Sequence, residues 1–218
     1  MKKILLLITS FVFLTFGANA GVNVGVSGMI LDIDTDGTET LKQNNVKAST
    51  TVHEEVAVPE IFIEMVNDGG IAVGLAIIPG EAELGSRSTS RTDKLTSGSS
   101  TVTQKAQAEI SGHLTLYAIV PVMDIMNGGV YLKGGVGSVD VETNETLGTG
   151  AKYGNQSVDF VTAGVGYQKD VAVGFVRAEV GHTSYDKVSL KSTSSDAVST
   201  ISGDISHTHA KISIGKAF

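Results

Sequence analysis

The sequence predicts an all-β protein, an eight-stranded antiparallel up-and-down barrel that spans a membrane. Three observations carry this. Eight segments alternate apolar and polar residues with a period of two. Their connections alternate between long polar stretches and tight turns. The chain stops on Phe218, at the end of an alternating stretch, AKISIGKAF, that has every mark of a strand. Successive side chains of a strand point to opposite faces, so period-two alternation gives one apolar and one polar face.

The first segment, residues 21–33, puts Val22, Val24, Val26 and Ile30 on one face. In the second, 56–66, Ile61, Ile63 and Met65 oppose Glu60, Phe62 and Glu64. The third, 70–78, gathers Ile71, Val73, Leu75 and Ile77. The fourth, 106–120, sets Ala108, Ile110, Leu114, Leu116 and Ala118 against Glu109, Ser111, His113 and Thr115. The fifth, 129–141, sets Val130, Leu132 and Val136 against Tyr131 and Lys133. In the sixth, 158–168, Val161, Ala163, Val165 and Tyr167 oppose Thr162, Gly164 and Gly166. The seventh, 172–185, opposes Val176, Ala178 and Val180 to Arg177 and Glu179. The eighth, 205–218, aligns Ala210, Ile212, Ile214 and Phe218.

Residues 34–55, 79–105, 142–157 and 186–204 are long, polar and rich in Ser, Thr, Asp, Asn and Gly, and are expected to be loops. Residues 67–69, 123–128 and 169–171 are short and are expected to be turns. Long loops on one rim and tight turns on the other are what an outer-membrane barrel needs. An even strand count lets first and last strands pair and leaves no open edge. Pro79 and Pro121 fall at expected strand ends. Pro59 falls inside the second strand and marks a bulge or a weakened end. A soluble sandwich would also alternate; the asymmetry of the connections and the two chain ends favour the barrel.

Residues 1–20, MKKILLLITSFVFLTFGANA, have the parts of a cleaved secretory signal. Lys2 and Lys3 are basic, Ile4 to Phe16 are mostly apolar, and Ala18-Asn19-Ala20 is a small-x-small site. The apolar run is too short for a helical span. A mature chain of residues 21–218 is therefore expected as one barrel domain. It would lose two lysines from 16 basic residues against 23 acidic ones, which moves the net charge from −7 to −9. That excess of acid argues against a nucleic-acid partner. With no cysteine, an exported fold must be held without disulfides. Gly 26, Pro 3 and Trp 0, with frequent Val, Ile and Thr, suit strands.

A terminal strand ending in Phe218, with Ile214, Ile212 and Ala210 alternating back from it, resembles the assembly signature of bacterial outer-membrane proteins. Lys216 departs from the usual apolar residue at its position, and a lysine at the membrane rim can snorkel to the polar interface. Eight strands with four long connections resemble the OmpA-type transmembrane barrel, without a periplasmic domain. That resemblance implies a Gram-negative outer-membrane location. It implies outer-membrane lipid, lipopolysaccharide and the barrel-assembly machinery as partners. It implies no cofactor.

The polar faces carry Glu60, Glu64, Glu109, Lys133, Arg177, Glu179 and Lys211, and His113, Tyr117 and Tyr131 share them. Side chains suffice to fill an eight-stranded barrel, and charge inside a membrane protein must pair or meet water. The expectation is an ion-pair network that plugs the lumen. The alternative is a narrow pore for small hydrophilic solutes, favoured by the volume that inward Gly25, Gly74, Gly135, Gly137, Gly164 and Gly166 would free.

Other constellations are weaker. His207 and His209 share a face but have no third metal ligand nearby in sequence. His182 and Ser184 form a His-x-Ser on the outward face, next to Asp186, which makes a lipid-modifying enzyme the third reading. GVGYQ and GGVGSV lack the helix and the Lys-Ser/Thr of a phosphate loop. Arg87, Arg91, Lys94 and Lys105 sit among Ser and Thr in residues 86–105, a candidate contact for lipopolysaccharide phosphates or another surface partner.

Overall fold

The computed structural model describes residues 21–41, 47–95, 98–147, 152–192 and 199–218; the expected leader lies outside them. The strands are β1 (Gly21–Leu41), β2 (Lys47–Val66), β3 (Ala72–Leu95), β4 (Gly98–Ile125), β5 (Gly128–Leu147), β6 (Gln156–Val171), β7 (Gly174–Tyr185), β8 (Val188–Lys191) and β9 (Ser199–Ala217). Sequential neighbours from β1 to β7 pair antiparallel, β7 and β8 both pair with β9, and β1 pairs with β9 to close the ring. The short β8 continues the line of β7: β7 pairs with β9 as far as Ser184↔Ser206, and β8 resumes at Val188↔Gly203. The wall thus has the eight positions the sequence predicts.

Two of the expected loops, 34–55 and 79–105, are mostly strand. β1 and β2 stay paired to Thr40↔Lys47, and β3 and β4 to Leu95↔Gly98. These stretches are polar, but rich in Thr and Ser, which suit a strand exposed to water. Thr38 and Ser49 hydroxyls lie 3.1 Å apart across strands, and Ser90 and Thr103 do the same. Polarity hides the alternation without abolishing the strand.

The opposite rim has the tight turns. Met126 and Asn127 have φ of 49° and 60° between Ile125 and Gly128, a two-residue loop of the type I′ kind whose twist matches a hairpin. The Tyr167 hydroxyl donates to the carbonyls of Ile125 and Met126 at 3.2 and 3.1 Å. Asn67 Oδ1 accepts from the amides of Gly69 and Ile71. The third turn is Ala172-Val173, slightly later than expected, because β6 runs to Val171. Gly21 and Phe218 lie at this rim. The Phe218 amide donates to the Val22 carbonyl at 2.8 Å, and Val22 returns the bond at 3.2 Å.

Pro79 and Pro121 do not end strands. Each sits where the register shifts, between Ile78 and Glu81 and between Pro121 and Met123, where a missing N–H is tolerated. A further shift lies at Gly112, whose φ of 63° suits glycine. It reverses the facing of what precedes it, so Ala108 and Ile110 pack inward, not outward as alternation alone implies.

A belt of exposed aliphatics, including Val24, Ile30, Ile63, Leu132, Val161 and Ile212, surrounds the short-turn half, each 41–59% exposed. Beyond it the alternation changes phase. On β1 the buried residues run Asn23, Gly25, Ser27, then Met29, Leu31, Ile33, while Asp32 and Asp34 face out. Val139 and Val141 on β5 repeat this. Below the margin the barrel is apolar outside and polar inside. Above it the reverse holds, as water demands.

One seam is incomplete. β2 and β3 pair only from Ile61↔Ile77 to Val66↔Ala72. Extending that register by two residues would set Pro59 against Pro79, neither with an N–H to give. Above them β2 keeps β1 and β3 keeps β4, and among the described residues no strand pairs with the other edge of either.

Deleting Phe218 removes two bonds from the closing β1–β9 ladder. The truncated chain should refold into lipid vesicles with a lower yield of the heat-modifiable folded band on unboiled gels. An unchanged yield would contradict a closing role for this residue.

Candidate functional site

β2, β5, β7 and β9 each turn charged side chains into the lumen, and the barrel's closure brings them together. Glu60 and Glu64 come from β2, Lys133 from β5, Arg177 and Glu179 from β7, and Lys211 from β9. Three carboxylates face three cations. The Arg177 guanidinium grips Glu64 with both ends, Nη1 to Oε1 at 2.5 Å and Nη2 to Oε2 at 2.8 Å. Its Nε donates to Gln168 at 2.7 Å, and its plane lies 4.4 Å from the Phe175 ring centre. Two parallel bonds fix orientation as well as charge. Glu64 also accepts from the Tyr117 hydroxyl at 2.8 Å and from Asn23 at 3.2 Å.

Further from the turns, Lys211 Nζ bridges Glu179 at 2.8 Å and Glu60 at 3.1 Å. Glu179 accepts from Tyr131 at 3.0 Å, lies 3.4 Å from Lys133 and 3.4 Å from the His209 ring. Ser27 donates to Glu60 and meets Ser213 at 2.9 Å. Lys133 sits over the Tyr117 ring at 4.1 Å. Glu60 and Glu64 hold different cations at different depths, as their spacing on one strand requires.

Six of the seven charged residues expected in the lumen therefore converge. Glu109 does not. It lies beyond the Gly112 bulge, half-buried, bonded to Gln107 at 3.0 Å and Asn144 at 3.2 Å. Asn23, Ser27 and Ser213 complete the network, and sequence reasoning missed them. Their signal was available: each is a small polar residue at an inward position of an otherwise aliphatic strand.

The network is buried. Glu64 is 1% exposed, Glu179 and Lys211 5%, Glu60 6% and Arg177 7%. The inward glycines face packed side chains. A Cβ on Gly74 would come within 2.7 Å of the Tyr117 side chain and 2.8 Å of the Glu64 side chain, and one on Gly25, Gly137 or Gly166 would collide with Phe62, Phe160 or Tyr131. Each of these glycines is a seat for a ring, not a void. Gly135 and Gly164 are likewise filled, by Tyr117 and Thr162 and by the backbone of Val180.

Above the charges lies a layer of rings. His113 stacks on Phe160 at 4.4 Å, Phe160 lies 5.2 Å from Tyr185, and Tyr185 lies 5.7 Å from His207. His207 bonds to the Tyr185 hydroxyl at 3.2 Å, and His209 turns to Glu179. His207 and His209 are thus parts of the packed lumen. The His182 ring, on the outside, lies 3.3 Å from the Thr208 hydroxyl of the neighbouring strand. Over the rings sits an apolar cluster of Met29, Leu31, Ile33, Val139, Val158 and Ile205, among others. The side chains of Arg87, Arg91 and Lys94 lie outside the described residues.

Arg177→Met should strand the buried Glu64 carboxylate and cost about 3–5 kcal/mol. Adding Glu64→Gln should recover much of that loss. Urea unfolding of the vesicle-inserted protein reads both, and equal stability of single and double variants would show that the pair is not coupled. Gly166→Ala should cost about 1–3 kcal/mol by driving a methyl into Tyr131, in the same assay.

No protein-family pattern and no curated protein sequence matches the chain. Solved structures do. The outer membrane protein OprG from Pseudomonas aeruginosa superposes with a TM-score of 0.56 at 11% identity, covering 91% of this chain and 96% of that one. The outer membrane protease OmpT from Escherichia coli gives 0.43 at 12% identity, covering 91% and 97%. Neisserial surface protein A gives 0.36 at 11%, covering 86% and 96%. The first of these, the closed antiparallel ring and the apolar belt agree: this chain has the fold of a small bacterial outer-membrane β-barrel.

Proposed function

We propose that this protein is a resident of the bacterial outer membrane with a closed lumen and a structural or surface-interaction role. The observation that carries this is the burial of the three-against-three ion-pair network across the barrel. An ion entering it would have to displace Lys211 from two carboxylates, or Arg177 from a bidentate grip, with no water to compensate. Rings fill the positions that glycine leaves open, so the lumen has no spare width.

The interaction surface is the part that stands outside the belt. β1 continues from Ile30 to Leu41, roughly 35 Å along the strand at ~3.3 Å per residue. The β3–β4 hairpin reaches Leu95 and Gly98. Lipid surrounds the belt, and lipopolysaccharide meets the polar strands just above it. The barrel-assembly machinery is the partner during insertion, through the strand that ends at Ile212, Ile214 and Phe218. The alternatives, a narrow pore and a lipid-modifying enzyme on His182 and Ser184, lack a comparable observation.

Single-channel recording in a planar lipid bilayer tests the closed lumen. The folded protein should insert silently. Reproducible conductance steps that change in Glu64→Gln would overturn it, because the network would then line a water path.

A further inference from the structure

Among the described residues, β2 and β3 run on past a short ladder without pairing further. Every other neighbouring pair of the ring stays bonded over ten or more positions, whereas β2 and β3 part above Ile61 and Ile77. Pro59 and Pro79 stand where the ladder would continue. Beyond them β2 runs on to Lys47 and β3 to Leu95. Two strand edges therefore face each other across a cleft, each offering backbone N–H and C=O groups. Such edges are templates for a further strand.

Both edges have a two-sided character. Toward the interior, Val56 and Val58 on β2 and Ile78 on β3 are only partly buried, and they pack against the apolar cluster. Toward the exterior, Glu55 on β2 and Glu81 and Glu83 on β3 are exposed. His53 is held by Asp34 of β1. An incoming strand would find an apolar floor and an acidic rim. A second copy of this chain would bring its own acidic edges, and like charges across a ladder disfavour pairing.

We infer that the β2–β3 seam is a β-augmentation site, which takes an extended segment of a partner protein with apolar residues on one face and basic residues on the other. The bound strand would complete the outer wall, lay alternate side chains on Val56, Val58 and Ile78, and set its cations among Glu55, Glu81 and Glu83. Main-chain bonds would supply affinity, and the alternating faces register. The inference rests on reading the outer part of the barrel as an interaction surface. It does not depend on the closed lumen.

The probe is a fluorescein-labelled eight-residue peptide of alternating Val and Lys, added to the full chain folded in zwitterionic micelles. Anisotropy should show saturable binding that weakens with added salt. The same peptide N-methylated at alternate residues keeps its charge and side chains but loses ladder donors. It should bind at least tenfold more weakly to the unaltered protein. Pro59→Val/Pro79→Val, which lets β2 and β3 zip further, should weaken binding of the unmethylated peptide by a similar factor. Equal binding of both peptides would reduce the effect to charge attraction and overturn the inference. So would an absence of saturable binding, or displacement by a single-chain fatty acid, which would make the cleft a site for small amphiphiles. No peptide binding with silent bilayers would remove the augmentation site alone; conductance steps with peptide binding intact would remove the plug alone.

Discussion

The hydrocarbon of a bilayer offers no partner to a peptide group, so every N–H and C=O within it must be paired by the chain itself. The rest of this structure follows from that constraint. A sheet can satisfy it only by closing, and closure here depends on β1 meeting β9 down to the Val22–Phe218 bonds. The one interrupted ladder obeys the same rule. It opens at the upper margin of the apolar belt, and the residues at the break are Pro59 and Pro79. Proline has no N–H to leave unpaired, so the break removes two donors at the edge of the hydrocarbon, where a stranded donor would be costly.

Closing eight strands leaves an interior only as wide as its side chains. Charged groups placed there cannot keep their hydration, and the chain answers with mutual neutralisation. Arg177 and Glu64 satisfy one another almost completely, while Lys211 is shared between Glu60 and Glu179. The tyrosines do two jobs. Their hydroxyls satisfy the remaining carboxylate lone pairs, and their rings occupy the space left by Gly74 and Gly166 on neighbouring strands. Glycine, tyrosine and carboxylate therefore form one packing unit. The abundance of glycine in this chain is explained by ring seating at least as much as by curvature.

Much of this was legible in the sequence. Period-two alternation gave the wall positions, the turns and the inward facing of six of the seven charges. The misses have physical causes. Glu109 was misplaced because a single left-handed glycine, Gly112, reverses the facing of the residues before it, and a bulge does not interrupt a hydrophobic pattern visibly. The outer strands were read as loops because Thr, Ser and charged residues satisfy a strand in water without producing an apolar face. The open seam could not be read at all. Pro59 and Pro79 lie twenty positions apart, and only the register of β2 on β3 sets them in line.

The deepest regularity is the change of phase. On β1 the aliphatic residues occupy even positions from Val22 to Val26 and odd positions from Met29 to Ile33, with Ile30 at the crossing. On β5 they pass from Val130, Leu132 and Val136 to Val139 and Val141. A strand cannot rotate its side chains about its own axis without a bulge, so the switch is not a twist of the wall. It is the same wall passing from a medium that accepts apolar groups outside to one that does not. Below the margin the solvent for aliphatic side chains is lipid, and the interior can be charged. Above it the only shelter is inside, so the lumen becomes an ordinary hydrophobic core. The cluster of Met29, Leu31, Ile33, Val139 and Val158 is thus dictated by the water outside.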